Sequence, residues 1–237
     1  MAEPAVSPET LRHLEVKVFR MQVDVVADAT GLFRLTRVHA DAAAQTLAQA
    51  FASDPLYAYV IRNPDARARL LPELFSFRIR YGVRYGAVHA TSPQMEGIAM
   101  WLPSNRVHMT QWRMLRAGGL RFYLQAGESV VARLNSIHGY VLSLLARLDI
   151  GPHWHMGPMA VAPDLQGKGH GASLLRPVLA QLDRQGHACL VETNDEENVR
   201  LYEHFGFRVA ERGAIPGANL PLWVMVRGQQ DPEPRDE

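Results

Sequence analysis

The chain has 237 residues, 47% of them hydrophobic and 21% charged, a globular balance that excludes a disordered or collagen-like polypeptide. Lys plus Arg number 25 against 24 Asp plus Glu, so the net charge of +1 gives no general drive toward nucleic acid or an anionic membrane. A single cysteine, Cys189, excludes an internal disulfide and any multi-cysteine zinc or iron–sulfur site, and no metal is expected.

Met1 to Thr10 is polar and shows no basic stretch followed by an apolar one. No run approaches the roughly 18 apolar residues of a membrane span, so the expectation is a soluble, cytoplasmic protein. Residues 1–31 read as a leader, in which Val16, Val18, Val23 and Val25 alternate imperfectly and fit an extra strand or a weak helix. Residues 32–227 read as a single domain and 228–237 as a polar tail. Phe33–Val38 predicts a short strand, and Asp41–Phe51 an Ala-rich helix with Asp41 near its cap. Ser53–Pro64 reads as an aromatic-bearing loop. Leu70, Leu71, Leu74, Phe75 and Ile79 place a helix over Asp65–Tyr81. Ala87–Ala90 and Gly97–Leu102 predict a hairpin around Ser92-Pro93-Gln94. Asn105–Asp149 is helical in pattern, split near Gly118-Gly119.

The last third is richest in signal. His153–Val161 predicts a strand, Pro163–Gly171 a glycine-rich loop and Ala172–Arg184 a helix. A strand around Leu190–Glu192, a short helix over Glu197–Phe205, and strands at Phe207–Glu211 and Leu222–Val226 follow. Strands alternating with helices imply an α/β sheet. Pro158 has no N–H to give a ladder, so Gly157-Pro158 argues for a bulge or an unpaired stretch. Pro177 falls inside its helix, where it removes one hydrogen bond.

Gln166-Gly167-Lys168-Gly169-His170-Gly171-Ala172-Ser173 lies between a strand and an amphipathic helix. Glycines admit close backbone approach, and the helix start offers unpaired N–H groups and a favourable dipole. Together these predict a phosphate or pyrophosphate cradle. A Walker-type loop is absent. A dinucleotide fingerprint fits Gly167-x-Gly169-x-x-Ala172 with Glu192 beyond it. Against it, Pro163-Asp164-Leu165-Gln166 separates strand from first glycine, and too little chain follows Glu192 for a doubly wound sheet. An NAD(P)-dependent oxidoreductase is kept as an alternative.

Gln166-Gly167-Lys168-Gly169-His170-Gly171 matches Gln/Arg-x-x-Gly-x-Gly/Ala, and with its flanks the chain resembles the GNAT superfamily of acetyl-CoA-dependent N-acetyltransferases. Those flanks are Met159-Ala160-Val161-Ala162-Pro163 and the run Asn198 to Phe207. Pro152-His153-Trp154, Trp101-Leu102-Pro103 and Pro221 to Arg227 are similar to the branch containing puromycin N-acetyltransferase. The resemblance implies an α/β (α+β) fold: a mixed, strongly twisted central sheet with a splayed strand pair, flanking helices and a helical insertion at about 105–149.

It also implies roles. Acetyl-CoA is the co-substrate, its pyrophosphate held by Gln166, Gly167, Lys168, Gly169, His170, Gly171, Ala172 and Ser173. Backbone groups around Met159 and Val161 bind the pantetheine arm and polarise the thioester, and Asn198 hydrogen-bonds CoA. Tyr202 protonates the departing thiolate, a task suited to a phenol of ordinary pKa near 10; Val199, Tyr202 and Phe205 also fit a simple buried face. For the general base His155 and Glu192 both qualify, the first by its pKa and the second by burial at a strand end, and a water relay remains open. Cys189, in an apolar run, reads as inert packing. The implied acceptor is a small-molecule amine, an amine-bearing antibiotic among the candidates, with Tyr57, Tyr59, Trp101, Trp112, Tyr123 and Trp154 available to stack on it. A non-catalytic acyl-CoA-binding module is the other alternative. Neither nucleic acid nor membrane is an expected partner, and the sequence specifies no oligomeric state.

Overall fold

The computed structural model describes residues 26, 31–148 and 150–228. The leader over 1–31 and the tail from 228 therefore lie almost wholly outside the described residues, the exceptions being Val26, helical and fully buried, and the boundary residues Gly31 and Gly228.

The first strand, β1 (Phe33–Arg34), is shorter than expected, because the chain enters a tight 3-10 turn at Arg37–His39 where His39 Nδ1 accepts the Thr36 N–H at 3.0 Å. Helix α1 (Ala40–Ala50) buries Ala43, Ala44 and Leu47. The aromatic segment after it is not all loop. Asp54 Oδ1 accepts the N–H groups of Leu56 and Tyr57 at 2.8 and 3.1 Å, and Pro55 takes the first helical position of α2 (Pro55–Val60). Asn63 caps α3 (Pro64–Tyr85), which runs unbroken through Pro72 and past the expected end at Tyr81. Strands β2 (Ala87–Ala90) and β3 (Gly97–Pro103) form the expected hairpin.

The insertion holds three helices instead of two: α4 (Gln111–Arg116), α5 (Leu120–Ala126) and α6 (Glu128–Leu145). The second break is Gly127, whose φ of 75° no helix admits. Next come β4 (His153–Val161), a 3-10 turn at Pro163–Leu165, and α7 (His170–Arg184). Helix α7 starts before Ala172 and continues across Pro177. The chain closes with β5 (Ala188–Thr193), α8 (Glu196–His204), β6 (Arg208–Ile215) and β7 (Leu220–Arg227).

The strands make one seven-stranded mixed sheet in the order β1-β2-β3-β4-β5-β7-β6. Every pairing is antiparallel except β4 with β5. A single parallel pair is not a doubly wound sheet, which removes the architectural basis of the dinucleotide alternative. The period-2 alternation sorts side chains by face. Ala99, Trp101, Trp154, Met156, Cys189 and Val191 pack with α7 and α8. Ile98, Met100 and Leu102 pack with α1 and α3 on the other face, where Leu190, Val224 and Val226 meet the end of α6.

Candidate active site

Two sequence features open the middle of this sheet. Ala99 pairs with Met159 and Trp101 with Met156, so β4 carries one residue more than β3 across Gly157-Pro158, a bulge where the proline has no N–H to give. Pairing of β4 with β5 runs from His153–Ala188 to Met156–Val191 and stops there. Both strands continue, β5 as far as Thr193 against Trp223 of β7. Beyond Met156 the two strands therefore separate, and a cavity of about 340 Å³ reaches into the wedge.

The register of the parallel pair brings the two expected base candidates together. His155 lies opposite Leu190, and Glu192, two residues on, shares its face of the sheet. The side chains meet: His155 Nε2 lies 2.9 Å from Glu192 Oε2, with both groups largely buried. The two candidates are thus in direct contact. His155 Nδ1 and Glu192 Oε1 are buried with no hydrogen-bond partner, and both residues line the cavity. A buried polar atom without a partner is costly, so a ligand group is the natural complement.

Tyr202 and Asn198 reach the same cavity from α8, one helical turn apart. The tyrosine ring is buried against Phe207, with centroids 5.7 Å apart, as the buried-face reading expects, and the residue also lines the cavity. Burial, aided by Cys189 and Glu192, pushes its phenol above the ordinary value and keeps it protonated. Burial likewise pushes the Cys189 thiol up, which agrees with inert packing.

Met159 lines the wedge; Val161 ends the strand beyond it. At the loop, Gly167 and Gly169 have φ of 74° and 86°, and Gly169 is the residue before α7. Among the described residues, the N–H groups from Gly167 to Ala172 have no backbone or side-chain acceptor. Gln166, Lys168 and Gly169 are exposed, as an anion site open to solvent requires. Two side chains of the expected site are engaged within the loop: Gln166 Nε2 donates to the Val161 carbonyl at 3.2 Å and Lys168 Nζ to the Asp164 carbonyl at 3.0 Å. Ser173 Oγ donates to the Gly169 carbonyl at 3.2 Å. The loop thus presents backbone more than side chain.

Of the aromatics expected around an acceptor, Tyr57 and Tyr123 line the cavity. Trp101 and Trp154 do not: they are fully buried on the α7 side of the sheet. Trp112 is 64% exposed, and the Tyr59 hydroxyl is tied to the Pro216 carbonyl at 3.1 Å. The cavity wall also holds three residues the sequence reading passed over: Asp54, Arg78 and His138. Burial raises the Asp54 pKa against the pull of its two N–H bonds, and burial lowers that of His138, with help from Arg78 and from His108 stacked on its ring. Arg78 and His138 carried a signal: each falls on the apolar stripe of its helix, Arg78 after Leu71, Leu74 and Phe75, and His138 between Leu134 and Val141.

Residues 119–209 match the family model described as an acetyltransferase (GNAT) domain. That span holds the bulged strand, the glycine loop and the tyrosine helix. The matched span is an acetyltransferase (GNAT) domain. Over 196 residues the chain is 28% identical to an uncharacterized N-acetyltransferase of Schizosaccharomyces pombe, covering 78% of each chain. In fold it is similar to a histone acetyltransferase HPA2 and related acetyltransferase from Corynebacterium glutamicum, with a TM-score of 0.56 and 20% identity over 85% of this chain and 97% of that one. A polyamine N-acetyltransferase of Drosophila melanogaster matches with a TM-score of 0.53 and 18% identity, over 82% of this chain and 97% of the other. An agmatine N-acetyltransferase gives 0.52 and 17%, over 83% and 98%. Among the described residues, no helix is long and apolar enough to cross a membrane, and no cluster of three or more His, Cys, Asp or Glu is placed to hold a metal ion.

Proposed function

We propose that the protein moves the acetyl group of acetyl-CoA directly to the primary amine of a small molecule. The observation that carries this reading is the wedge between β4 and β5, where Tyr202 from one face of the sheet and the His155–Glu192 pair from the other line one cavity. The unpartnered N–H groups of Gly167 to Ala172 suit the CoA pyrophosphate by charge and shape, and the unpaired edge of β4 around Met159 suits the pantetheine arm. A backbone N–H aimed at the thioester oxygen stabilises the oxyanion by about 3 kcal/mol.

In this scheme the neutral amine attacks the thioester carbon, forming C–N as C–S breaks. The ammonium proton passes to the His155–Glu192 pair, whose Nδ1 and Oε1 are free to accept it, and Tyr202 gives its proton to the thiolate. The cavity is lined by α2, α6 and the β6–β7 hairpin and holds about 340 Å³, a size that suits a small acceptor. The polyamine and agmatine enzymes of similar fold, and the puromycin-type branch resemblance, define the first acceptors to try.

The test is free-thiol release from acetyl-CoA against diamines, amino acids, aminoglycosides and aminonucleosides, beside direct titration with CoA. Turnover of one class, lost in Tyr202→Phe, supports the reading. Binding of CoA with no amine turned over fits the binding-module alternative. A protein that does not bind CoA overturns the reading.

A further inference from the structure

We propose that the acceptor amine also carries an anionic group, a carboxylate or phosphonate, and that Arg78 with His138 receives it. This deepens the acetyltransferase reading of the same cavity and rests on it.

Arg78 is on the buried stripe of α3, not on its solvent face, and it lines the cavity. Its Nε is buried with no hydrogen-bond partner, and its Nη1 reaches only the Tyr57 hydroxyl, at 3.4 Å. Among the described residues no carboxylate is ion-paired with it, whereas Arg80 on the same helix pairs with Asp41 at 2.8 Å. A guanidinium drawn out of water is costly unless acceptors replace the water, and its planar fork fits a carboxylate or phosphonate with two parallel bonds.

A second unpartnered nitrogen, able to donate in the Nε2–H tautomer, points the same way. His138 Nε2, from α6, is also buried without a partner in this cavity. Arg78, His138, His155 and Glu192 all line this one cavity. Arg78 and His138 form a donor-rich group. Glu192 and His155, in contact at 2.9 Å, form an acceptor-rich group. Phe77 and Tyr123 supply apolar wall in the same cavity. An amine at the acceptor-rich group and an anion at the donor-rich group satisfy all four orphaned atoms. A polyamine would instead bring its second cation against Arg78.

The experiment titrates the CoA-saturated protein with matched pairs. Phenylalanine is set against 2-phenylethylamine; 5-aminopentanoate and 3-aminopropylphosphonate are set against the diamine and amino alcohol of equal length. The anionic member of at least one pair binds tighter by about tenfold or more, and Arg78→Met removes that advantage without changing the Kd for CoA. Arg78→Lys, which keeps stem and charge but not the fork, restores part of it; its thermal midpoint checks folding. The carboxylate and phosphonate arms tell the two anions apart. Equal or tighter binding of the uncharged or diamine member, a preference that survives Arg78→Met, or no binding by any anionic member overturns the proposal. Failure to bind CoA at the saturation step overturns the acetyltransferase reading instead, so the two failures are distinct.

Discussion

Tyr202 is the residue on which the proposed chemistry turns most directly. A positioned acid is worth about 10²–10⁴ in rate, so Tyr202→Phe lowers kcat for thiol release by about a hundredfold or more while CoA still binds. The pH dependence has a definite sign. Burial raises the phenol pKa above its ordinary value of 10, so the proton-bearing form persists through neutral and mildly alkaline solution. The rate profile therefore has no falling limb from Tyr202 below about pH 10. A falling limb in that range, absent from Tyr202→Phe, would contradict the assignment. The His155–Glu192 pair yields a different expectation, because two groups joined at 2.9 Å act as one unit. Glu192→Gln and His155→Gln each reduce kcat by about a hundredfold, and the double variant is scarcely worse than either single one. Multiplicative losses in single-turnover rates would mean that the residues act independently.

At the scale of elements, two glycines separate structure from ligand binding. Gly169 has φ of 86° and open space around its Cβ position, so Gly169→Ala strains only the backbone, by about 1 kcal/mol, and misaims the N–H groups of the loop. Its expected effect is a severalfold rise in the Kd for CoA with a small fall in stability. A Cβ on Gly86 would lie 2.0 Å from the Trp101 carbonyl oxygen, a backbone atom that cannot rotate away. Gly86→Ala therefore costs about 3 kcal/mol in denaturant unfolding. The loop and its flanking elements were legible in the sequence because strand, glycines and helix are local patterns. Helix α2 was less so: Asp54-Pro55 is a cap-and-start signal, but six residues are too few to show a helical period. The His155–Glu192 contact was not legible at all, since it depends on the register of β4 against β5, set by residues far apart in the chain. Arg78 and His138 broke the apolar stripes of their helices, yet which wall those stripes form is decided only by tertiary packing.

For the molecule as a whole, the question is what can reach the wedge. Three long-range hydrogen bonds join the elements that line the cavity away from the glycine loop. Arg133 Nε donates to the Val60 carbonyl at 2.8 Å, joining α6 to α2. The Tyr140 hydroxyl accepts the Ala214 N–H at 3.3 Å, joining α6 to β6, and the Tyr59 hydroxyl donates to the Pro216 carbonyl at 3.1 Å, joining α2 to the turn before β7. Each is worth about 1 kcal/mol net, so the ring of contacts is firm but local. The glycine loop is not part of it. Arg133→Ala should then lower stability by about 1 kcal/mol and raise the acceptor KM severalfold, with the Kd for CoA unchanged. The same ring bears on acceptor size. A lysine on a folded protein has to bring its surroundings up to these joined elements before its amine meets Glu192, whereas a free amine only has to fit. Mass spectrometry of a folded lysine-rich protein should therefore show far slower acetylation than a small amine undergoes, and Arg133→Ala should narrow that gap. Equal rates for both acceptors in the intact enzyme would show that the mouth opens by a motion these three bonds do not resist.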